Sequence, residues 1–341
     1  MSKPKNKEEF RQELAEQFAH VLEEKGLDWR KEWNGGGMTL PPHNGITGNM
    51  YRGCNVFHLS LVSMLRGYND SRWVTMTQII DKYNRYHPDE KWHLKEGSKA
   101  TYVEYWYPYD VIRKQAVTWD EYYEDLHLNG VEVEKQYVLS TRYIAVFNAS
   151  QIEGISKEEI EPNDNQITPD ELINKLSKNM GVPIINDGGD SSYYQKLTDT
   201  VHLPLPSAFD SNYAYDSTAL HELAHSTGHP SRLNRDQSGF FGSSSYAYEE
   251  LVAEMSACFM SAGLETQPSQ QHIDNHKAYV QSWIQSIREK PDTLIHAIKD
   301  AQAAANYMDY KAEFITEQEY KKLQGSVLEV KEKEKQREQE R

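Results

Sequence analysis

Hydrophobic and polar positions follow two different periods along the first half of the chain. Apolar residues recur every three or four positions over 8–25 and 53–66, which predicts two amphipathic helices, and 77–85 is a shorter helix candidate. Apolar and polar residues alternate over 100–107 and 137–147, which predicts two strands. The first half is therefore expected to form a mixed α/β domain.

The second half carries fewer strand signals and longer helical ones. Thr168 followed by Pro169 is typical of a helix start, and short strands are predicted over 184–185 and 201–205. Helical periodicity dominates the rest of this half, which predicts a mainly helical domain. The predicted helices cover residues 217–227, 246–262, 270–289 and 293–308.

Composition shifts divide the chain into parts. An acidic stretch that contains Pro162 is typical of a linker, and the segment from Glu329 onward is almost entirely charged or Gln. The expected fold class is α+β. We predict a first domain over residues 1–155, a linker over 156–168, a second domain over 169–312 and a charged tail over 313–341.

The chain is acidic, and most of the acidity lies in its second half. The formal net charge is −15; the first 150 residues contain 19 Lys+Arg against 21 Asp+Glu, and the rest contains 18 against 31. This balance argues against tight non-specific binding of duplex DNA. Two distant cysteines, Cys54 and Cys258, form no disulfide framework. Neither a signal peptide nor a membrane span is expected, so the predicted location is cytoplasmic, with no membrane partner.

The strongest chemical signal is the sequence HELAH, which begins at His221. Positions i and i+4 of a helix share one face, so the imidazoles of His221 and His225 can bind one metal ion. Glu222, beside the first histidine, can serve as the general base for metal-assisted hydrolysis. Residues 216–218 offer candidate N-caps and residues 228–230 a helix stop, which predicts a helix around the motif.

Catalytic zinc usually has a third protein ligand, and the sequence offers several candidates. The three-histidine pattern HExxHxxGxxH fails, because its last position is Ser231. His229 remains a candidate, although helix breakers surround it. Glu250 and Glu254 share one face of the following helix, so one can bind the ion while the other supports a histidine. Glu249 is expected on a solvated face.

This carboxylate pair resembles the arrangement in gluzincin metallopeptidases, where the first acid is the metal ligand and an acid four residues later supports a histidine. The resemblance implies that Glu250 is the third ligand and that Glu254 has the supporting role. The expected cofactor is one Zn²⁺ ion, for which Mn²⁺ or Co²⁺ can substitute. Four groups compete for the role of oxyanion stabiliser: Tyr215, Tyr246, Tyr248 and His229.

Aromatic residues are dense in the first half, and single-strand binders combine such residues with basic grooves. Residues 50–115 contain ten Lys+Arg against seven acids, which is only mildly basic. Phe57 and Tyr102 are expected in the core, whereas Trp73 is a candidate DNA contact. The candidate phosphate contacts are Arg52, Arg66, Arg72, Lys95, Lys99 and Arg113.

Several motifs resemble those of the ArdC-type antirestriction proteins. The sequence HELAHSTGHPSRLNR over 221–235 resembles the metallopeptidase motif of that family, and the likeness extends over 199–204 and 249–259. TGNMYRGCN over 47–55 resembles the family segment TGxxYxGxN. Three further blocks fit the same family: WVTMTQ over 73–78, KEGSK over 95–99 and VFNASQ over 146–151.

The resemblance implies a first domain that binds single-stranded DNA and a zincin-like second domain, in a protein of mobile genetic elements that protects incoming DNA from restriction. The predicted partners are single-stranded DNA and, as a peptidase substrate, a host restriction or regulatory protein. Ser226 departs from the family, which often has Trp there, and the role of the insertion at 108–136 is open. Two alternatives are a DNA-binding protein with a structural metal and a regulatory metalloprotease that cleaves a repressor.

Overall fold

The computed structural model divides into two compact units. It describes residues 3–4, 6–29, 41–81, 92–129, 136–157, 167–239, 243–261 and 270–324. The first unit contains Met1–Arg11 and Pro42–Lys157, and the second contains Gln12–Pro41 and Glu158–Arg341. Most of the predicted linker and the tail beyond residue 324, including the segment from Glu329, lie outside the described residues.

The first unit ends close to the predicted boundary at residue 155, but residues 12–41 group with the second unit. The reason lies in helix α1 (Lys7–Lys25). Within the second unit, the Arg288 guanidinium donates to the carboxylates of Glu16 at 2.7 Å and Glu23 at 2.9 Å. Contacts with residues distant in sequence thus hold most of α1, and residues 12–41 group with the second unit for that reason.

The first unit is built on a sheet of strands that pair mostly antiparallel. Its strands are β1 (His43–Asn44), β2 (Arg72–Thr75), β3 (His93–Leu94), β4 (Thr101–Asp110), β5 (Gln115–Ala116), β6 (Tyr137–Asn148) and β7 (Ile152–Glu153). The main sheet has the order β1-β2-β6-β4-β5, and β3 pairs with β7 separately. The long antiparallel pair β4–β6 confirms both strands that the alternating pattern predicts.

Three helices accompany this sheet in the described part of the unit. They are α2 (Cys54–Arg66), α3 (Met76–Asp81) and α4 (Trp119–Asn129). Val103 of β4 and Val146 of β6 point to the same side of the sheet. Helix α2 packs on that face. The resulting core contains Leu59, Val62, Trp73, Val103 and Val146.

The insertion at 108–136 extends the β4–β6 ribbon and has a small core of its own. Strand β5 returns along the end of β4, and α4 follows it. Val117, Tyr122 and Tyr137 are buried together, and Trp119 and Leu126 pack against them. Trp119 and Tyr122 of this segment are therefore used in packing, whereas Tyr123 is 37% exposed. Residues 130–135 lie outside the described part.

A buried histidine makes the first unit sensitive to acid. His58 of α2 is 2% exposed, and its ring lies 5.4 Å from the ring of Phe10. Burial, with a smaller effect of the Arg66 charge, lowers the pKa of His58 to about 4. The folded pKa lies below the unfolded value of about 6.5, so the folded state favours the neutral ring and binds fewer protons.

Stability is therefore expected to fall as the pH drops from 6.5 to 4, by up to about 3 kcal/mol from this group at about 1.4 kcal/mol per pH unit. Urea denaturation across this range, compared between the natural chain and His58→Leu, measures the contribution. The variant should lose that part of the pH dependence. His93→Gln, which changes an exposed histidine of the same unit, should keep it. Equal pH profiles for the natural chain and His58→Leu would contradict the assignment.

The second unit combines a three-stranded sheet with packed helices. Its described elements are α5 (Pro169–Met180), β8 (Ile184–Asn186), β9 (Tyr193–Gln195), β10 (Thr200–Leu203), α6 (Asn212–Ser226), α7 (Ser244–Ser261), α8 (Gln270–Glu289) and α9 (Asp292–Lys311). The strand order is β8-β10-β9, so β9 lies at one edge. Strand β9 is absent from the sequence-based prediction, whereas the others agree within a few residues.

The core of the second unit lies between α5, α6, α7, α9 and the small sheet. Leu176, Val201, Leu220 and Leu223 are fully buried in it, together with Met308. Thr168 begins α5 with a reciprocal cap: its hydroxyl accepts from the Glu171 backbone, and the Glu171 carboxylate accepts from the Thr168 backbone. The fold class is the predicted one, a mixed α/β domain followed by a mainly helical one.

Among the described helices, none is long and apolar enough to cross a membrane. Cys54 and Cys258 form no disulfide, in agreement with the prediction.

Candidate metal centre

Helix α6 brings the two histidines of the motif together. His221 and His225 lie one turn apart on its buried face, with their Nε2 atoms 3.1 Å from each other. The helix begins earlier than predicted, because the Ser211 hydroxyl accepts from the Ala214 backbone and caps it. The predicted cap residues 216–218 are therefore buried within the helix. The predicted stop is correct, since the helix ends at Ser226.

Helix α7 supplies a third donor to the same point. The Glu250 carboxylate lies 3.4 Å from His221 Nε2 and 3.6 Å from His225 Nε2. One ligand atom from each of these three buried residues lies within 4.8 Å of the others. Donors at about 2.0–2.2 Å from a tetrahedral zinc ion are separated by about 3.3–3.6 Å, so the spacing fits one such ion.

Each histidine ring has a second carboxylate on its other nitrogen. Glu254 Oε1 lies 3.6 Å from His221 Nδ1, the nitrogen that a supporting carboxylate would bond. Glu249 Oε1 lies 3.4 Å from His225 Nδ1. Glu249 is only 6% exposed, so the expectation that it lies on a solvated face is wrong. Helix α7 is buried on a wider face than its sequence indicates.

Glu249 is itself held by the loop that follows α6. Arg235 donates to both of its oxygens, at 2.5 and 3.0 Å, and also to the Thr227 hydroxyl. Gln237 donates to Glu249 Oε1 at 3.1 Å and to the His225 carbonyl at 2.6 Å. Burial alone would raise the pKa of Glu249, but the bonds from His225 and Arg235 lower it to about 2. The loop thus fixes an ionised carboxylate against His225.

Charge also favours a cation at this point. Four carboxylates converge around the two imidazoles, and each is at most 6% exposed. Among the described residues, Arg235 supplies the guanidinium that bonds this cluster. Buried carboxylates in excess of their counter-charges are costly, and a divalent ion would offset that cost. The four are Glu222, Glu249, Glu250 and Glu254.

A cleft of about 480 Å³ opens onto the three donors. Glu222 lines it beside His221, where a general base can reach a bound substrate or water. Tyr193, Tyr194 and Lys196, on and next to edge strand β9, line the same cleft. These three residues form one wall of the cleft. Sequence periodicity does not predict this wall, since β9 has only three residues.

A buried network anchors that wall. Tyr194 donates to Asp199 at 2.6 Å, and Arg232 donates to Asp199 and to the Tyr194 hydroxyl oxygen. Arg232 lies in the loop after α6, and its side chain is 5% exposed. The loop therefore fixes both β9, through Arg232, and Glu249, through Arg235.

The geometry separates the four candidate oxyanion stabilisers. Tyr246 lines the cleft, and its hydroxyl bonds Glu250. Tyr248 donates instead to Asp300, and Tyr215 bonds Asn186. His229 is the fourth candidate, and its Nδ1 bonds Ser231 in an exposed turn. Tyr246 is thus the candidate that faces the metal centre.

One candidate DNA contact of the first unit lies in the core and not on the surface. Trp73 is 0% exposed within the α2–sheet core, so its assignment as a DNA contact is corrected. It occupies β2, which lies between β1 and β6 and buries its side chain against α2. A residue with no exposed surface has no face on which a base can stack.

Four of the candidate cations hold the fold together. Arg66 donates to the Lys99 carbonyl and Lys95 to the Ser150 carbonyl. Arg72 binds Asp70 and the Ser156 carbonyl, and Arg113 binds Asp110 and Glu121. The side chains of Arg52 and Lys99 are exposed.

Two family models together match most of the chain. The N-terminal domain of anti-restriction factor ArdC matches residues 8–147, and a zincin-like metallopeptidase domain matches residues 171–300. Fold and site thus define a two-domain protein with a zincin-like metal centre. The chain belongs to the ArdC-type antirestriction family, which combines these two domains.

Curated relatives and solved structures agree with this assignment. The chain is 32% identical over 309 residues to a DNA primase TraC of Escherichia coli and 31% over 338 residues to a second one, covering 89% and 95% of this chain. It spans only 20% and 30% of the length of those primases. The uncharacterized protein y4eC of Sinorhizobium fredii is 28% identical over 310 residues, with 89% of this chain and 93% of that protein covered.

The similar solved structures are those of the antirestriction protein ArdC from plasmid R388. Its metal-free form has a TM-score of 0.67 at 25% identity and covers 90% of this chain and 98% of that one. Its Mn(II)-bound form has a TM-score of 0.64 at 26% identity and covers 89% and 97%.

Proposed function

We propose that this chain is an antirestriction protein of a mobile genetic element that joins a metal-dependent peptidase site to a domain for single-stranded DNA. The observation that carries the peptidase part is the convergence of His221, His225 and Glu250 next to Glu222 in an open cleft. A host restriction or regulatory protein is the proposed substrate, since cleavage of such a protein would link the site to protection of DNA.

The proposed roles follow from position. His221, His225 and Glu250 hold a divalent ion, which this donor set favours as Zn²⁺, with Mn²⁺ or Co²⁺ as substitutes. When bound, the ion supplies Lewis acidity and lowers the pKa of a water that it coordinates. Glu222 takes a proton from the attacking water and returns it to the leaving amine. Tyr246 donates a hydrogen bond to the oxyanion that develops on the peptide carbonyl.

Metal analysis of the purified full-length chain tests the donor set. The natural protein is expected to hold about one divalent ion per chain, and His221→Ala is expected to lose it. His229→Ala is the matched control, because it removes a neighbouring half-buried histidine that bonds Ser231. A natural chain without affinity for Zn²⁺, Mn²⁺ or Co²⁺ would contradict the proposal, as would loss of the ion in the His229 variant.

DNA binding by the first unit is the second part of the proposal. It is supported by the match to the ArdC N-terminal domain and by the relatives named as DNA primases. Fluorescence anisotropy with a labelled single strand across a salt series measures it. Binding at low salt that weakens as salt increases is expected. A natural chain that does not bind the strand at low salt would remove this part and leave the peptidase part standing.

A further inference from the structure

Three tyrosines form a row on the β4–β6 sheet. Tyr105, Tyr107 and Tyr109 occupy alternate positions of β4, so their side chains share one face. Across the pair, Arg142 lies opposite Tyr105 and Val138 opposite Tyr109, and both share that face. Tyr105 and Val138 are each 39% exposed, and Tyr107 and Tyr109 are half-buried, so the row reaches the surface of the first unit.

Arg142 is held by the row itself. Its guanidinium lies 4.7 Å from the ring centre of Tyr105 and 5.5 Å from that of Tyr107. No described carboxylate forms an ion pair with it, and no described acceptor bonds it. A guanidinium positioned by two rings keeps its N–H donors for an outside acceptor, and phosphate is the acceptor that its geometry suits.

Helix α2 leaves this half of the face uncovered. It packs on Val103 and Val146, near the start of β4. In its first turn, the Asn55 side chain bonds both backbone groups of Glu104, at 2.7 and 2.8 Å. The helix therefore begins level with Glu104, and the tyrosine row lies beyond its N-terminal end.

The acids of the two strands lie on the opposite face. Glu104 and Asp110 are the carboxylates of β4, and β6 carries none. Glu104 bonds the Trp106 indole and the Tyr143 hydroxyl, whereas Asp110 binds Arg113. Alternation along the strand thus separates the negative charge from the row, and the row keeps a net positive charge from Arg142.

We propose that Tyr105, Tyr107, Tyr109 and Arg142 form the surface on which the first unit holds single-stranded DNA. The inference rests on the DNA binding proposed above and assigns its site. Alternate residues of a strand lie about 7 Å apart, twice the spacing of about 3.4 Å along one strand of a duplex. The row therefore suits bases that are separated from one another, each on a tyrosine ring, with Arg142 on the phosphates.

Anisotropy titrations of the full-length chain with a labelled single strand test the row. Tyr105→Leu and Tyr107→Leu are each expected to weaken binding about tenfold, as loss of a stacking platform does. Tyr213→Leu is the matched control, since Tyr213 is 49% exposed in the second unit. Thermal unfolding verifies that each variant is folded. Natural affinity in both folded tyrosine variants would overturn the site while leaving DNA binding intact.

Arg142→Gln distinguishes a phosphate contact from a contact that only stabilises the sheet. Removing one phosphate contact on a single strand should reduce the slope of log affinity against log salt by about 0.7. A duplex of the same sequence should bind more weakly than the strand, because its bases cannot reach the rings. An unchanged salt slope in the folded variant, or preference for the duplex, would overturn the assignment.

Discussion

Replacing Glu249 by Gln is expected to weaken the affinity for a divalent metal by about 10- to 100-fold, although Glu249 is not among the three converging donors. Its carboxylate fixes the His225 ring through Nδ1 and is the partner of the buried Arg235 guanidinium. The variant leaves that guanidinium without a countercharge, so the free energy of unfolding should fall by about 3–5 kcal/mol. Competition with a chelating indicator measures the affinity, and urea denaturation of the metal-free chain measures the stability.

Asp236→Asn is the matched control for this experiment. Asp236 follows Arg235 directly, but its carboxylate bonds only the Ser238 backbone and hydroxyl at the surface among the described residues. The control should therefore keep both the metal affinity and the stability of the natural chain. If Glu249→Gln binds metal as tightly as the natural chain does, the carboxylate has no role in orienting His225.

The histidine pair of the metal centre is predictable from the sequence, because its geometry is local. Two residues four apart in a helix share a face whatever surrounds them, so His221 and His225 follow from the motif alone. The start of α6 is less predictable. Its first turn carries Tyr213 and Ala214 without a clear apolar period, and the cap at Ser211 lies before the predicted caps at 216–218.

The carboxylates of α7 are only partly predictable, because their roles depend on how that helix is rotated against α6. The four-residue spacing of Glu250 and Glu254 places both on one face, which is local information. Glu249 is buried by Arg235 and Gln237, and both belong to a loop with no helical or strand period. Such contacts are set by tertiary packing, so a sequence pattern assigns Glu249 to solvent.

The DNA-binding candidates show a similar limit. Residue type selects Arg66 and Lys95 as phosphate contacts, but both donate to backbone carbonyls that the sequence does not identify. The tyrosine row requires the register of β4 against β6, which pairs Tyr105 with Arg142. Alternation within β4 predicts the shared face of the tyrosines, and only the strand pairing brings the guanidinium to it.

Replacing Glu222 by Gln is expected to leave the metal content unchanged while reducing metal-dependent peptide cleavage by about 10²- to 10⁴-fold in kcat, the usual contribution of a general base. The amide occupies nearly the same volume but cannot take a proton at neutral pH. Glu222 lines the cleft and is not one of the three converging donors, so its loss separates chemistry from metal binding. Cleavage of an unfolded protein substrate in the presence of Zn²⁺, together with elemental analysis, measures both quantities.

The same variant also separates the proposed peptidase from a protein whose metal is structural. Glu313→Gln is the control, since Glu313 pairs with Lys175 at the surface of the same unit. If the ion only stabilises the fold, Glu222→Gln and the control should protect transferred DNA from restriction equally well, whereas His221→Ala should lose stability and protection together. If the site is catalytic and its activity serves protection, Glu222→Gln should lose protection while its metal content, its unfolding temperature and its affinity for single-stranded DNA remain those of the natural chain. The second pattern makes protection depend on a base that acts on the attacking water, because a structural ion places no requirement on the proton affinity of the residue next to it.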